Sequence, residues 1–211
     1  MLAYAVCSAA GLIAGGAIAW KLKMPSPPQQ VRLPIYVCAF AGAILGAKIP
    51  IWLSYGLDSY IIQGKSIMGG ILGAFLTINL YKTCSGNRGG YGGRFVIPLA
   101  VAAGFGKIGC YLHGCCGGTL FVPVQLAESL FQFCMAFVLY LFYRKTQRAD
   151  LMFHIYLLSY LLMRFIIEFW RIEPRIMCGL TAYQWIAIIF IPVSFLILWR
   201  RRHDSVAFAG K

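Results

Sequence analysis

Two stretches of the 211-residue chain concentrate residues capable of chemistry. The first, Gly104 to Thr119, reads GFGKIGCYLHGCCGGT and sets Lys107, Cys110, Tyr111, His113, Cys115, Cys116 and Thr119 among glycines. Glycine lets backbone N–H groups approach a ligand closely, so a lysine beside a Gly-rich turn is suited to cradling an anion. His113 near Cys115 and Cys116 leaves three readings open: a thiolate nucleophile activated by the imidazole, an outward-side disulfide that includes Cys178, or small thiols packed in a core. A metal site is not expected, because adjacent cysteines lack the intervening residues that zinc ligand pairs use. The second stretch, Tyr160 to Arg171, reads YLLMRFIIEFWR. Arg164 and Glu168 stand four positions apart, with Tyr160 four before Arg164 and Arg171 three after Glu168, a spacing that lines all four on one helical face. Arginine grips phosphate bidentately and a carboxylate orients it, so the stripe suits a phosphate ester. The plainer reading is that Arg164 and Glu168 neutralise one another inside a bundle. Gln125, Glu128 and Gln184 come early in their own apolar segments, at the depth of the stripe. Together these residues predict a polar chamber whose apolar walls hold acyl chains.

The elements that position them belong in a membrane. The chain is 60% hydrophobic and 12% charged, which excludes an ordinary soluble domain. Apolar stretches at 2–20, 33–53, 66–81, 95–112, 123–143, 151–169 and 181–199 are long enough to span a bilayer. They predict an all-α polytopic membrane protein with seven transmembrane helices, forming a single integral membrane domain over residues 1–211. The first stretch has no basic residues before it and no polar cleavage site after it, so it is expected to be a retained span and not a signal peptide.

Nineteen Lys+Arg against six Asp+Glu give a formal charge of +13. In a soluble protein that balance would suggest nucleic acid, but here the charge is spread over short loops without a binding motif. Lys21, Lys23, Arg32, Lys82, Arg88, Arg94, Arg144, Lys145, Arg148, Arg200, Arg201, Arg202 and Lys211 fall on one side of the seven spans; Lys65, Arg171 and Arg175 fall on the other. The bias predicts an N-terminus outside and a C-terminus in the cytoplasm. Lys48, Lys107, Glu128, Arg164 and Glu168 lie within apolar segments. Each costs at least ~2.5–3.5 kcal/mol at mid-helix on insertion scales, so they are expected to face the bundle interior. Small residues in 39–47 and 69–74 predict close approach between helices.

At these residues the chain resembles the prolipoprotein diacylglyceryl transferases, seven-span bacterial enzymes that move diacylglycerol from phosphatidylglycerol onto a lipobox cysteine thiol. The likeness runs from about residue 40 to 200 in six ordered motifs. GAILGAKI (42–49) is similar to the family's Gly-rich second helix, IMGGILGAF (67–75) to its His-Gly-Gly-Leu segment, and GKIGCYLHGCCGG (106–118) to its signature Gly-Arg-x-Gly-Asn-Phe-x-Asn-x-Glu-x-x-Gly. VPVQLAES (122–129) resembles Pro-Ser-Gln-Leu-Tyr-Glu, the Tyr160 stretch resembles Tyr-x-x-x-Arg-Phe-x-x-Glu-x-x-Arg, and LTAYQ (180–184) resembles Leu-Thr/Ser-x-x-Gln. Tyr160, Arg164, Glu168, Arg171, Gln125, Glu128 and Gly118 match the family type. Met68 stands where the family has a histidine, and a thioether cannot accept or relay a proton. Lys107 replaces a lipid-binding arginine, keeping the charge and losing the fork. Cys110 and His113 replace asparagines, and Cys115 replaces a glutamate.

The resemblance implies a cofactor-free transferase of the bacterial inner membrane. It would bind phosphatidylglycerol or a similar anionic phospholipid and pass its diacylglyceryl, or another lipid-derived group, to an extracytoplasmic acceptor such as a lipoprotein precursor. Arg164 and Lys107 are expected to stabilise charge on the departing glycerol phosphate, with Arg171 at the entrance. His113 is the expected base for the acceptor, with Glu128 or Glu168 as second choice; alternatively Cys115 or Cys116 takes the group covalently. Arg171, Tyr160, Gln125, Glu128, Gly118, Gln184 and Lys48 are expected to bind substrate. Met68 supports an alternative, a non-catalytic phospholipid-binding or lipid-translocating protein on the same fold.

Overall fold

The computed structural model describes residues 2–22, 24–56, 64–87, 89–115, 117–118 and 123–209, without the side chains of residue 2 and of residues beyond 202. Lys23, Arg88, Cys116, Thr119 and Lys211 therefore lie outside the described residues. Eight α-helices follow in order: α1 Leu2–Lys21, α2 Gln29–Gly46, α3 Ile49–Tyr55, α4 Ile67–Ser85, α5 Gly93–His113, α6 Val124–Thr146, α7 Ala149–Ile167 and α8 Ala182–Ala209. Between α7 and α8 come a 3₁₀ turn, Glu168–Trp170, and a short antiparallel hairpin, β1 Arg175–Met177 with β2 Leu180–Thr181.

Among the described residues, seven spans are long and apolar enough to cross a membrane: Ala3–Lys21, Gln29–Tyr55, Ile67–Ser85, Gly93–His113, Val124–Thr146, Ala149–Trp170 and Ala182–Arg202. The chain is a multi-pass membrane protein, and these spans overlie the seven apolar stretches of the sequence. Three local features depart from that reading. The hairpin interrupts an otherwise helical chain. The second span is not one helix, because the chain turns at Ala47–Lys48 and restarts with Pro50 in the first turn of α3. Proline lacks an N–H but tolerates a first turn, where no intrahelical partner is needed. The stripe from Tyr160 to Arg171 is also not wholly α-helical, since the chain tightens at Glu168.

The chain divides into two compact units. One comprises Met1–Pro25, Gly90–Ile172 and Phe190–Lys211. In it α1 lies against α5 at small residues: a Cβ on Gly11 would meet Phe105 Cβ at 2.9 Å, and one on Gly15 would meet the Pro98 carbonyl at 2.8 Å. Gly104, on another side of α5, faces the Phe133 ring of α6, and Ser129 Oγ donates to the Gly104 carbonyl at 2.9 Å. Gly93 is seated on the backbone of Ala149 at the start of α7.

The other unit comprises Ser26–Gly89 and Glu173–Ile189. Here α2 and α4 cross through Gly42, Gly46, Gly69 and Gly73; a Cβ on Gly73 would fall 2.8 Å from Gly46 Cα and closer still to the Gly42 carbonyl. Thr77 Oγ1 adds a hydrogen bond to the Cys38 carbonyl at 2.7 Å. The close approach predicted for 39–47 and 69–74 is this crossing, in which backbone packs directly on backbone. Ser66 caps α4 by accepting from Gly69 N–H at 3.2 Å. The hairpin turns at Cys178 and Gly179, both with positive φ, the backbone shape that two-residue hairpin loops favour.

Candidate functional site

Five charged side chains meet in the interior of the first unit. Lys107 comes from α5, Glu128 from α6, Arg164 from α7, Glu168 from the 3₁₀ turn, and Arg171 follows that turn. None has a side chain more than 8% exposed. Glu128 is the hub. Its Oε1 takes Arg164 Nη1 at 2.7 Å and Arg171 Nη1 at 3.3 Å, and its Oε2 pairs with Lys107 Nζ. Glu168 takes Arg164 Nη2 at 2.8 Å and Arg171 Nε at 3.5 Å. Each arginine thus bridges two carboxylates, and two carboxylates hold three cations.

Local packing explains the convergence. Gly104 lets α6 close on α5, and Lys107, one turn further along α5, then lies beside Glu128, the neighbour of Ser129. On α7, Arg164 and Glu168 are an i,i+4 pair. In a 3₁₀ turn side chains at i and i+3 eclipse, so the tightening over Glu168–Trp170 stacks Arg171 over Glu168. Burying ions in apolar surroundings is tolerated when every charge meets opposite charge, and each of these five does.

The polar seam continues along α6 and α7. Tyr160, 2% exposed, stacks on Tyr156 with ring centroids 5.8 Å apart, and Tyr156 OH donates to Gln132 Oε1 at 2.8 Å. Gln132 and Tyr156 were not singled out above. Gln132, four residues after Glu128 in an apolar segment, is the signal that would have found them.

α5 ends in a Gly-terminated cap. Gly114 sits at φ 73 and its N–H donates to the Tyr111 carbonyl, while Cys115 N–H reaches back to the Cys110 carbonyl. This is the paired bonding that left-handed glycine permits at a helix end. The Cys115 thiol lies 3.6 Å from the same Cys110 carbonyl. Gln125 Nε2 donates to the Cys115 carbonyl at 2.9 Å, and Gly118 pairs with Arg171 in an isolated antiparallel bridge. The glycine-rich turn is therefore fastened to the charged cluster through Gln125 and Arg171, both of them buried.

Other predicted site residues lie elsewhere. His113 is exposed, and its ring centroid is 6.4 Å from that of Tyr4 on α1. It follows Gly109 by four residues on the α1 side of α5, about 120° around the helix from Lys107. Cys116 lies outside the described residues. Lys48, Met68 and Gln184 belong to the second unit. Lys48 Nζ donates to the Gly64 carbonyl at 3.0 Å, at the break between α2 and α3. Met68 is 1% exposed. Gln184 Oε1 accepts from Thr181 N–H at 3.0 Å while Gln184 N–H donates to Thr181 Oγ1 at 3.3 Å. That reciprocal pair is a capping box, so the LTAYQ motif has a structural task in starting α8. Cys178 is exposed in the hairpin turn and forms no disulfide among the described residues.

The cluster offers arginine and lysine donors in a water-poor interior, where such donors act most strongly on phosphate oxygens. Comparison with known proteins points the same way. The model of the prolipoprotein diacylglyceryl transferase family matches residues 1–200. A phosphatidylglycerol–prolipoprotein diacylglyceryl transferase of Clostridium tetani (strain Massachusetts / E88) is 30% identical over 194 residues, 76% of this chain and 77% of the relative. Proteins of the same name from Dehalococcoides mccartyi (strain ATCC BAA-2266 / KCTC 15142 / 195) and Pseudomonas aeruginosa (strain LESB58) are 27% identical over 97% of this chain and 91% of the relative, and 26% over 78% and 74%. No solved structure matches.

Proposed function

Because the chain belongs to the prolipoprotein diacylglyceryl transferase family, we propose that it transfers the diacylglyceryl group of phosphatidylglycerol to the cysteine thiol of a prolipoprotein. It does so as one integral domain of the bacterial inner membrane, with its N-terminus outside and its C-terminus in the cytoplasm. The observation that carries this reading is the buried cluster of Lys107, Arg164 and Arg171, built on the matched motifs and holding more positive than negative charge. Arg164 and Lys107 grip the lipid phosphate, and Arg171, beyond the end of α7 and tied to the Gly118 turn, stands at the entrance. The acceptor sulfur attacks the glyceryl carbon, the C–O bond breaks, and the phosphate oxygen leaves with the electron pair, its new charge stabilised by the cations.

His113 takes the thiol proton in this scheme. It is exposed at the end of α5, open to an arriving acceptor, whereas Glu128 and Glu168 are enclosed by cations. Buried, apolar Met68 favours the second reading, a lipid-binding protein without turnover. Purified protein incubated in detergent with isotope-labelled phosphatidylglycerol and a lipobox peptide separates the two. Peptide-dependent release of glycerol phosphate, lost in Arg164→Ala and in His113→Ala, is the expected result. Arg164-dependent lipid binding without release overturns the transferase assignment and leaves the second reading.

A further inference from the structure

The ion pairs at Glu128 carry more than is needed to hold three cations still. Lys107 from α5, Arg164 from α7 and Arg171 from beyond the 3₁₀ turn all converge on its one carboxylate, while Glu168 pairs with the two arginines. Three cations against two carboxylates leave the cluster one positive charge. A phosphodiester such as the head group of phosphatidylglycerol carries one negative charge. A phosphate monoester, the form in which the head group leaves, carries close to two above its second pKa of about 6. The cluster therefore neutralises the substrate; it attracts the charge that develops on the leaving oxygen, but once the bond has broken the full dianion keeps one charge without a cation, and that charge is better solvated outside the buried site.

We propose that Glu128 sets this balance: it is a positioning residue that makes the site selective for monoanionic phosphodiesters and drives out the dianionic monoester once the C–O bond has broken. The proposal rests on the phosphate-binding reading above. Glu128 holds Arg164 and Arg171 on one oxygen and Lys107 on the other, so the three donors converge on one carboxylate, whose own charge is what a departing dianion meets. No other acid among the described residues shares all three cations. Replacing the carboxylate by the isosteric amide raises the cluster from one positive charge to two, which matches the product and over-charges the site for the substrate.

The test is displacement of labelled phosphatidylglycerol from the detergent-solubilised full chain by two soluble probes. One is glycerophosphoglycerol, a diester whose charge does not change near neutrality. The other is glycerol phosphate, a monoester that passes from monoanion to dianion between about pH 5 and about pH 8. For the wild type, the expected result is that glycerol phosphate, measured relative to glycerophosphoglycerol at each pH, loses at least roughly tenfold in potency across that range, because its second charge is desolvated with no cation left to compensate it. In Glu128→Gln the trend reverses, and glycerol phosphate gains roughly tenfold at the alkaline end. A purely structural role for Glu128 would weaken both probes together at every pH. The wild-type arm stands even where Glu128→Gln fails to fold, because a dianion that competes as well as or better than the diester overturns the proposal by itself. A Glu128→Gln protein with the wild-type trend overturns it too. If neither probe displaces the lipid, the phosphate-binding reading falls with it; if both compete with the opposite charge preference, only the role of Glu128 falls.

Discussion

Replacing Arg164 with methionine keeps the length of the side chain and removes its charge from the middle of the cluster. Two buried contacts are lost together, the 2.7 Å pair with Glu128 and the 2.8 Å pair with Glu168. Glu128 keeps Lys107 and Arg171, but Glu168 is left with Arg171 Nε at 3.5 Å. Removing one partner of a buried ion pair costs about 3–5 kcal/mol, mostly because the remaining charge stays desolvated. For a chain of this length each kcal/mol shifts the midpoint by ~2–4 °C, so thermal unfolding in detergent should move down by on the order of 10 °C. The same argument predicts a rescue. Glu168→Gln in the Arg164→Met background neutralises the carboxylate that has lost this guanidinium, and the double variant should recover about 1–3 kcal/mol relative to the sum of the singles. Thermal unfolding followed by intrinsic fluorescence, run as a complete double-mutant cycle, measures both quantities. Strictly additive losses, or a single variant within about 1 kcal/mol of the wild type, would show that the network is not held by these pairs, and the electrostatic reasoning would fail with it.

Two further outcomes follow from packing. Gly73→Leu should destabilise the α2–α4 crossing by more than about 3 kcal/mol, because a Cβ there already meets the backbone of Gly42 and Gly46; Gly70→Ala, whose Cβ would lie 3.4 Å from the Ala43 carbonyl, should stay within about 1 kcal/mol of the wild type in the same unfolding assay. Thr181→Val should cost about 1 kcal/mol through loss of the cap on α8 while leaving the apparent affinity for phosphatidylglycerol in a binding assay unchanged, and a large affinity loss would restore a ligand role to this motif.

The spans were legible from composition because the bilayer imposes a single long-range requirement, an apolar run of sufficient length, and that survives without knowledge of neighbours. Buried charges were legible for the same reason. Lys48, Lys107, Glu128, Arg164 and Glu168 stood out as charged residues in apolar segments; the structure brings the last four together, while Lys48 is half-buried in the other unit and donates to the Gly64 carbonyl. Their wiring was not legible. A helical-face argument tied Arg164 to Glu168, but the stronger hub, Glu128, lies on another helix, and nothing local to residues 160–171 encodes the approach of α6 through Gly104. The 3₁₀ turn escaped as well, since FW after Glu168 carries no breaker residue and the tightening arises in tertiary packing. Two features were written locally and overlooked. Thr181 and Gln184 have capping-box spacing, and His113-Gly114 reads as a helix stop. Thr181 and Gln184 together start α8. Proximity along the chain does not give the facing of His113, which six residues carry about 120° around α5 from Lys107.

Along the chain the five buried charges alternate in sign: Lys107, Glu128, Arg164, Glu168, Arg171. A chain delivered to the membrane from its N-terminus therefore presents each new ion to one already waiting. α5 enters with a single cation that costs ~2.5–3.5 kcal/mol at mid-helix, and the first acid to arrive, on α6, is its partner. α7 then brings an arginine to that acid and its own glutamate one turn later. At no point during synthesis does this cluster have to hold two uncompensated charges of one sign in hydrocarbon. A variant with Lys107 and Glu128 exchanged would have the same finished composition, but its glutamate would enter first and its lysine would then face Arg164. The order of the charges is thus suited to assembly as well as to the folded site.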